Sequence, residues 1–253
     1  PEILTERCPL SATPPRERSV GGPARTPVRS RLAFALDVPR LLMLLPIAVL
    51  LLGLQPADAS TVRDSLTHYY VQQDAAVVER LYRPRARTRE DRLLCLYRLY
   101  PMTLDEGYLA DIPSEAGVQS ARELALIAAL WAYKASSGPA WRLPTYGRRS
   151  ERILNDALAR DPAEPYALLV RGQSLYYKPR VFGGDVDAAR ETFERLRQRV
   201  GRTRVPGLHP FEAEVWIWMA VRRQDATAGT QLQRRLLARN PPRMFRQFLT
   251  DPP

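Results

Sequence analysis

Histidine, cysteine and lysine are scarce in this chain of 253 residues, and their scarcity narrows the chemistry that the protein can perform. The only histidines are His68 and His209, and the only cysteines are Cys8 and Cys95. A structural zinc site needs about four such ligands, so the usual zinc-binding patterns are excluded. Downstream of residue 59 a single thiol remains, and that part of the chain cannot form an internal disulfide. Cys95 lies within Leu93–Leu96, where we expect it to be a small buried apolar residue.

Lysine is nearly absent, because Lys134 and Lys178 are the only two among 38 basic residues. The other basic residues are arginines, and the chain has a formal net charge of +11. A nucleic-acid-binding protein usually concentrates its basic residues on one face, with aromatic residues between them. Here the arginines are scattered along every segment, often beside Glu or Asp, as is typical of a GC-rich genome. We therefore expect no nucleic-acid partner.

A continuous apolar run occurs early in the chain, at Leu41–Leu54. Its 14 residues are fewer than the roughly 20 that a helix needs to span a membrane. Arg40 precedes the run, and Ala57–Ala59 follows it with small residues where a signal peptidase reads the chain. This order predicts a secretory signal peptide that is cleaved after Ala59 and leaves Ser60 as the first mature residue. The predicted location is the periplasm or the outside of the cell.

This pattern divides the chain into three regions. Residues 1–59 are the leader, in which a Pro- and Arg-rich stretch expected to be disordered precedes the signal peptide. Residues 60–117 are an N-terminal helical region whose fold the sequence leaves open, and residues 118–253 carry helical repeats. Two alternatives stay open for the apolar run: a buried core helix, or an uncleaved segment that anchors the protein in a membrane.

Downstream of Ser60 the apolar residues recur at spacings of three and four, which predicts α-helices and almost no strand. The predicted helices span 61–72, 74–82, 88–101, 118–136, 148–160, 163–177, 185–200, 209–222 and 226–239, with a loop at 102–117. Trp216 and Trp218 point about 200° apart on their helix, so both are buried only if that helix is covered on two sides. The predicted fold class is all-α.

A repeated motif marks the second half of the chain. Segment 158–162 reads Leu-Ala-Arg-Asp-Pro, and segment 237–241 reads Leu-Ala-Arg-Asn-Pro. The interval of 79 residues corresponds to two helix pairs of about 34 residues each, plus about 11 residues in the connections. Each copy ends in a proline, which cannot continue a helix and can open the next one.

Between the two copies, a small residue at Gly172 lets two helices approach closely, and Ala189 and Phe193 lie one turn apart to fill the groove. This pattern resembles the tetratricopeptide helix–turn–helix. The resemblance implies an α-α superhelix, that is, a tetratricopeptide-like helical solenoid. The chain departs from the family pattern because residues 178–184 are inserted in the turn between the two helices.

The inserted turn carries a second resemblance. Segment 176–185 reads Tyr-Tyr-Lys-Pro-Arg-Val-Phe-Gly-Gly-Asp, and it is similar to the Tyr-x-x-Pro-x-x-Phe-Gly-Gly element of exported bacterial tetratricopeptide-like proteins of unassigned function. A related element occurs in the helical periplasmic component that accompanies some tripartite substrate transporters. The resemblance covers residues 118–241, whereas residues 60–117 match it poorly.

Five residues of this turn are expected to be structural: Pro179, Phe182, Gly183, Gly184 and Asp185. The two glycines suit a tight turn, Asp185 can cap the next helix, and Phe182 is expected to lie beneath the turn. The alternative is an anion cradle at the helix N-terminus. The turn lacks the Lys-Ser or Lys-Thr of a phosphate loop, and no strand precedes it.

Aromatic and basic residues near the enlarged turns are the candidates for binding a partner or ligand. They are Trp141, Tyr146, Arg149, Tyr176, Tyr177, Lys178 and Arg180. Together with Arg148, the basic members would form a rim that suits an acidic peptide or a carboxylate. Acidic pairs elsewhere have no His, Ser or metal ligand beside them in a recognisable pattern, so we expect neither catalysis nor a cofactor.

These features predict an exported scaffold that binds a protein or peptide partner in the cell envelope, in a concave groove lined by the first helix of each pair. The alternative is an accessory ligand-binding component of a periplasmic transport system, with an aromatic pocket near Trp141, Tyr146, Tyr176 and Tyr177. An unfilled aromatic cavity would favour the alternative, whereas a solid core beneath an open groove would favour the scaffold.

Overall fold

The computed structural model describes residues 59–83 and 88–252, and the predicted leader, apart from Ala59, lies outside the described residues. The described residues form ten α-helices. These are α1 (Ala59–Val71), α2 (Ala75–Tyr82), α3 (Arg89–Thr103), α4 (Ala121–Ser137), α5 (Leu143–Arg160), α6 (Pro165–Tyr177), α7 (Val186–Arg202), α8 (Phe211–Gln224), α9 (Ala226–Ala238) and α10 (Arg243–Thr250). Short 3-10 helices lie in three connections, at Glu106–Leu109, Ala140–Arg142 and Arg180–Phe182. No β-strand occurs in the described part, which confirms the all-α prediction.

Polar side chains begin several of these helices where the sequence predicted caps. The Thr88 hydroxyl accepts a hydrogen bond from the backbone N–H of Asp91 at the start of α3. The Asp185 carboxylate accepts from the N–H groups of Asp187 and Ala188 at the start of α7. Such caps satisfy N–H groups that have no partner within the helix, so the helix starts are set locally.

Helix α3 continues past Pro101, where the sequence predicted its end. Pro101 lies in the last turn, so its missing N–H removes only one helical hydrogen bond. The preceding residues Leu99 and Tyr100 are buried and hold this turn against the core. The helix ends instead at Thr103, and the next residue, Leu104, has a left-handed φ of 54° and donates its N–H to the carbonyl of Tyr100.

Two larger differences from the prediction are the start of one helix and the presence of another. Helix α5 begins at Leu143, five residues before the predicted start at residue 148, and Pro144 lies in its first turn, where a proline is tolerated. Helix α10 was not predicted at all. Its buried side chains, Phe245 and Leu249, lie one turn apart. The apolar pattern of a helix is therefore present in the sequence, but it covers only eight residues.

Helices α4 to α9 pack in an alternating order. Helix α5 packs on α4 and α6, α7 packs on α6 and α8, and α9 packs on α8. Arg122, near the start of α4, lies 2.9 Å from the carboxylate of Glu164, which caps α6. Arg223, near the end of α8, donates to the carbonyl of Tyr176 near the end of α6 at 2.7 Å. Helices α4, α6 and α8 therefore run in the same direction as an inner layer, and α5, α7 and α9 return as an outer layer.

The expected close approach at Gly172 is confirmed. A Cβ atom at this position would overlap the ring of Phe193, which is fully buried between α6 and its neighbours. Ala189, one turn before Phe193 on α7, is also fully buried. The absence of a side chain at Gly172 is what allows α6 and α7 to pack at this distance.

Helix α3 covers the inner layer on the side away from the outer layer. The ring of Tyr97 on α3 stacks on Tyr133 of α4 with centroids 5.7 Å apart and meets the edge of Tyr166 of α6 at 6.1 Å. Trp216 and Trp218 of α8 are both buried, as expected for a helix covered on two sides. Helix α1 packs on α3 and α10, and one continuous hydrophobic core includes side chains of all ten helices.

A buried ion pair joins α3 to α8. The guanidinium of Arg98 donates to both carboxylate oxygens of Glu212, at 2.8 and 2.9 Å, and to the carbonyl of Gly207 at 3.0 Å. Arg98 is 1% exposed and Glu212 4% exposed. The guanidinium also lies 4.2 Å from the ring centroid of Tyr70 and 4.9 Å from that of Tyr97. Each charge is therefore neutralised and hydrogen-bonded inside the core, which a buried charge requires.

Replacing Gly172 by alanine tests the contact with Phe193. Alanine normally stabilises a helix interior relative to glycine by about 1 kcal/mol. At Gly172 we expect instead a loss of about 1–3 kcal/mol in the free energy of unfolding, because the core would be overpacked. The control is Gly201→Ala on α7, where a Cβ meets nothing within 4 Å. Urea denaturation measures both, and equal effects of the two substitutions would refute this account of the packing.

Replacing Arg98 tests the ion pair. Arg98→Met leaves the Glu212 carboxylate buried without a partner, so we expect a loss of about 3–5 kcal/mol in unfolding free energy. The double variant Arg98→Met, Glu212→Leu should recover most of that loss, because no charge stays buried. Arg83→Ala, which removes an exposed pair with Glu79, is the control and should cost less than about 1 kcal/mol. A double variant as unstable as Arg98→Met would contradict the explanation.

Candidate functional site

The connection between α4 and α5 exposes large apolar side chains. Trp141 is 71% exposed, and Leu143 at the first position of α5 is 50% exposed. The Arg142 guanidinium lies over the Trp141 ring, 4.5 Å from its centroid. A tryptophan stacked only by an exposed arginine keeps most of its apolar surface available to another molecule.

The connection between α6 and α7 is held by its own backbone. The carbonyl of Pro179 accepts from the N–H groups of Phe182 and Gly184, and the carbonyl of Leu175 accepts from that of Asp185. Gly183 has a φ of 87°, which favours glycine. A Cβ atom on Gly184 would overlap the carbonyl of Lys178, so no larger residue fits there. Gly183 and Gly184 thus have the conformation and the close backbone contact of a tight turn.

Phe182 does not lie beneath the turn, and that expectation was wrong. Its side chain is 74% exposed and the neighbouring Val181 is 85% exposed. The backbone bonds of the turn, together with the Asp185 cap, complete the connection without a buried aromatic anchor. The aromatic ring is therefore presented to solvent on a well-defined loop.

Both connections lie at the same end of the helical layers, because α4 and α6 run in the same direction. We call the exposed apolar side chains of these two connections and the adjoining helix ends the turn edge. It consists of Trp141, Leu143, Tyr177, Val181 and Phe182. Tyr177, 56% exposed, continues it toward α8, because its ring meets the edge of Trp216 at 5.9 Å.

The remaining aromatic candidates are packed into the core at separate places. Tyr146 lies against Trp131, with centroids 5.3 Å apart. Tyr176 is buried and lies between Tyr177 and Trp216, at 5.1 and 6.2 Å. Within the described residues, no ring contact joins Tyr146 to Tyr176, because Tyr146 packs against Trp131 and Tyr176 against Trp216.

The basic candidates are partly neutralised. Arg149 donates to the Glu115 carboxylate at 2.7 Å and lies 4.1 Å from the centroid of the Trp131 ring. Lys178 pairs with Glu151 on α5. Arg148 and Arg180 are exposed. Of the predicted basic rim, only Arg148 and Arg180 are exposed. Arg142, which stacks on Trp141, is a further exposed arginine in these connections.

A cleft that the sequence did not predict lies on another part of the molecule. It has a volume of about 640 Å³ and is bordered by α1, the end of α7 and the connection between α7 and α8. His68 and His209 both line it. They are far apart in the sequence and belong to no motif, so only the tertiary structure brings the two histidines of the chain to one cleft.

The described residues contain neither a candidate metal site nor a helix able to span a membrane. In 59–83 and 88–252, no group of three or more His, Cys, Asp or Glu side chains could hold a metal ion. Across the same residues no helix combines the length and the apolar character needed to cross a membrane. Comparisons with protein-family models, curated proteins and solved structures found no match to the chain.

Acid titration tests the environment of Glu115. Hydrogen bonds from Arg149, and also from Arg152, lower the pKa of Glu115 from 4.5 to about 2. A carboxylate with a lowered folded-state pKa stabilises the protein above its unfolded pKa, and this contribution is lost as the pH falls toward the folded value. We expect Glu115→Gln to be less stable than the original chain at pH 7, and the difference to shrink between about pH 4.5 and pH 2.

Urea denaturation of both proteins at pH 7, 4.5 and 3 measures this difference. Glu79→Gln is the control, because its carboxylate belongs to an exposed pair with Arg83, so the substitution should change stability little. If the difference for Glu115→Gln stays constant down to pH 3, the hydrogen bonds from Arg149 and Arg152 do not stabilise the ionised form of Glu115.

Proposed function

We propose that the protein is an exported, tetratricopeptide-like helical solenoid that binds a protein or peptide partner in the cell envelope and catalyses no reaction. Export is inferred from the order of basic residue, short apolar run and small residues at Ala57–Ala59. Binding is inferred from the exposed side chains of the turn edge. No cofactor is part of this proposal.

The tetratricopeptide-like architecture is supported by the arrangement of α4 to α9. Three inner helices run in the same direction, and each is followed by an outer helix that returns beside it. The motif Leu-Ala-Arg-Asp/Asn-Pro closes α5 and recurs at the end of α9, with four helices between Arg160 and Ala238. Stacked helix pairs of this kind build solenoids whose exposed surfaces serve as binding platforms.

The inner groove is not the surface we propose for the partner. Helix α3 packs on this side of α4 and reaches α6 and α8 through Tyr97 and Arg98. A peptide could enter only by displacing α3 and breaking the buried ion pair with Glu212. The turn edge needs no such rearrangement.

The observation that carries the proposal is the exposure of Trp141, Val181 and Phe182 on short, hydrogen-bonded connections. Large aromatic side chains contribute most of the binding energy in many interfaces, especially when they are held in place before binding. The exposed Arg142, Arg148 and Arg180 lie in or next to the same two connections. We therefore expect a partner segment that combines apolar and acidic side chains.

A second candidate function is an accessory ligand-binding component of a periplasmic transport system. The observation that favours it is the cleft of about 640 Å³ lined by His68 and His209. Its volume falls within the range of about 300–1,000 Å³ that is usual for sites of small molecules. This cleft lies away from Trp141, Tyr146, Tyr176 and Tyr177, which were the residues expected to line a pocket.

Partner capture from the source cell tests the interaction role. The tagged full chain, a turn-edge variant (Trp141→Ser, Val181→Ser, Phe182→Ser) and a control variant are expressed, crosslinked in the cells and purified. Leu104→Ser is the control, because Leu104 is also 71% exposed but follows α3 and belongs to neither of the two connections. Quantitative mass spectrometry then compares the envelope proteins that each form retains.

We expect at least one envelope protein to be retained by the original chain and by Leu104→Ser but reduced at least about tenfold with the turn-edge variant. Circular dichroism should be the same for all three forms, because the changed side chains are exposed. Equal capture by the turn-edge and control variants would refute binding at this surface.

A further inference from the structure

One face of α1 forms a wall of the cleft. The residues of α1 that border the cleft are Asp64, Thr67, His68 and Val71, followed by Gln72. Their spacing of three and four places them along one side of the helix. Leu66 of the same helix is 1% exposed, and the ring of Tyr70 lies under Arg98. Helix α1 therefore has a core side and a separate cleft side.

The opposite wall is the connection between α7 and α8, and it is held rigidly from beneath. Val205, Gly207 and Leu208 in this connection are buried. Gly207 has a φ of 83°, and a Cβ atom there would overlap the side chain of Leu94. Its carbonyl accepts from the buried guanidinium of Arg98. The wall is thus formed before any ligand binds, as in most small-molecule sites.

The charged groups of the cleft leave one positive charge in excess. Arg202 and Arg204 border the cleft, and Asp64 is the one carboxylate among its lining residues. Arg204 lies 2.8 Å from Asp64, and the Arg204 side chain is exposed at the rim. Two arginines against one aspartate leave the charge of Arg202 to be balanced by a monoanion.

His209 presents a hydrogen-bond donor. Its Nδ1 accepts from the backbone N–H of Phe211 at 3.1 Å. A neutral imidazole carries its proton on the other nitrogen when one nitrogen accepts, so Nε2 is the donor of this ring. Burial and Arg98 lower the pKa of His209, although Glu212 opposes this, so the neutral form is the one present near pH 7.

Apolar side chains also line the cleft, together with the polar residues Thr67, Gln72 and Thr203. Val71 on α1 and Val200 on α7 are buried, as are Val205 and Leu208 on the opposite wall. Pro210 and Pro242 also border the cleft. An apolar lining with a few convergent polar groups is the usual composition of a site for a small organic ligand.

We propose that this cleft binds a small organic monocarboxylate, with its carboxylate at Arg202 and the histidines and its apolar body against Val71, Val200 and Leu208. Arginine binds carboxylates through paired N–H groups, and the neutral histidine adds a further donor. The site is separate from the turn edge, and it does not require a transport role for the protein.

Histidine NMR provides the readout, because the chain contains only His68 and His209. The full chain is labelled at the histidine rings, and the two signals are assigned with His68→Gln and His209→Gln. Hexanoate is the probe, hexanol is the probe without charge, and inorganic phosphate is the anion without an apolar body. Arg202→Glu tests the site, and Arg234→Glu on the exposed side of α9 is the control with the same change of charge.

We expect saturable shifts of both signals with hexanoate, unchanged in Arg234→Glu and at least tenfold weaker in Arg202→Glu. Hexanol and phosphate should each produce no saturable shift. Absence of saturation with hexanoate, equal binding of hexanol or phosphate, or equal affinities of the two arginine variants would each overturn the proposal. A failure here leaves partner capture by the turn edge unaffected, so the two results are distinguishable.

Discussion

The pair between Arg98 and Glu212 connects two parts of the chain that are 114 residues apart and fixes how the N-terminal helices lie on the rest. Both groups are almost completely removed from water, so neither can ionise there without the other. The guanidinium bonds two carboxylate oxygens and a backbone carbonyl, and aromatic rings surround it. Burial raises the pKa of Tyr97, Tyr133 and Tyr166, so these phenols stay neutral beside the charges. A register of α3 that separated the pair would leave a charge buried alone.

The pair determines both how α3 covers α4, α6 and α8 and how one wall of the cleft is held. Because α3 is held against α8, the side of α4, α6 and α8 that a peptide would enter is already filled. Exposed apolar area is then left at the ends of the helices, where Trp141 and Phe182 project from short connections. The same guanidinium holds Gly207, and so it also fixes one wall of the cleft between α1 and the α7–α8 connection. One buried interaction thus holds α3 against the inner layer and fixes one wall of the cleft.

The predictions that agree with the structure are those that depend on interactions between residues close in sequence or on adjacent helices. The caps at Thr88 and Asp185 and the contact between Gly172 and Phe193 involve residues close in sequence or on adjacent helices, and these predictions were correct. Phe182 was placed wrongly because an aromatic residue in a turn has no local signal for burial or exposure. Tyr146 and Tyr176 were assigned to one pocket from their sequence neighbourhood, but each packs against a different tryptophan. The surroundings of side chains near turns thus depend on contacts with other helices, which the local sequence does not specify.

The sequence by itself determined that the described chain is helical, where most helices begin and end, and that Gly172 marks a close helix contact. These properties depend on spacing, capping and steric size within one or two helical turns. Only the tertiary structure decided that α3 packs on α4 and α6, that Arg98 meets Glu212, and that His68 and His209 share a cleft. Such pairings depend on how all ten helices pack together, because no local preference links residues more than a hundred positions apart.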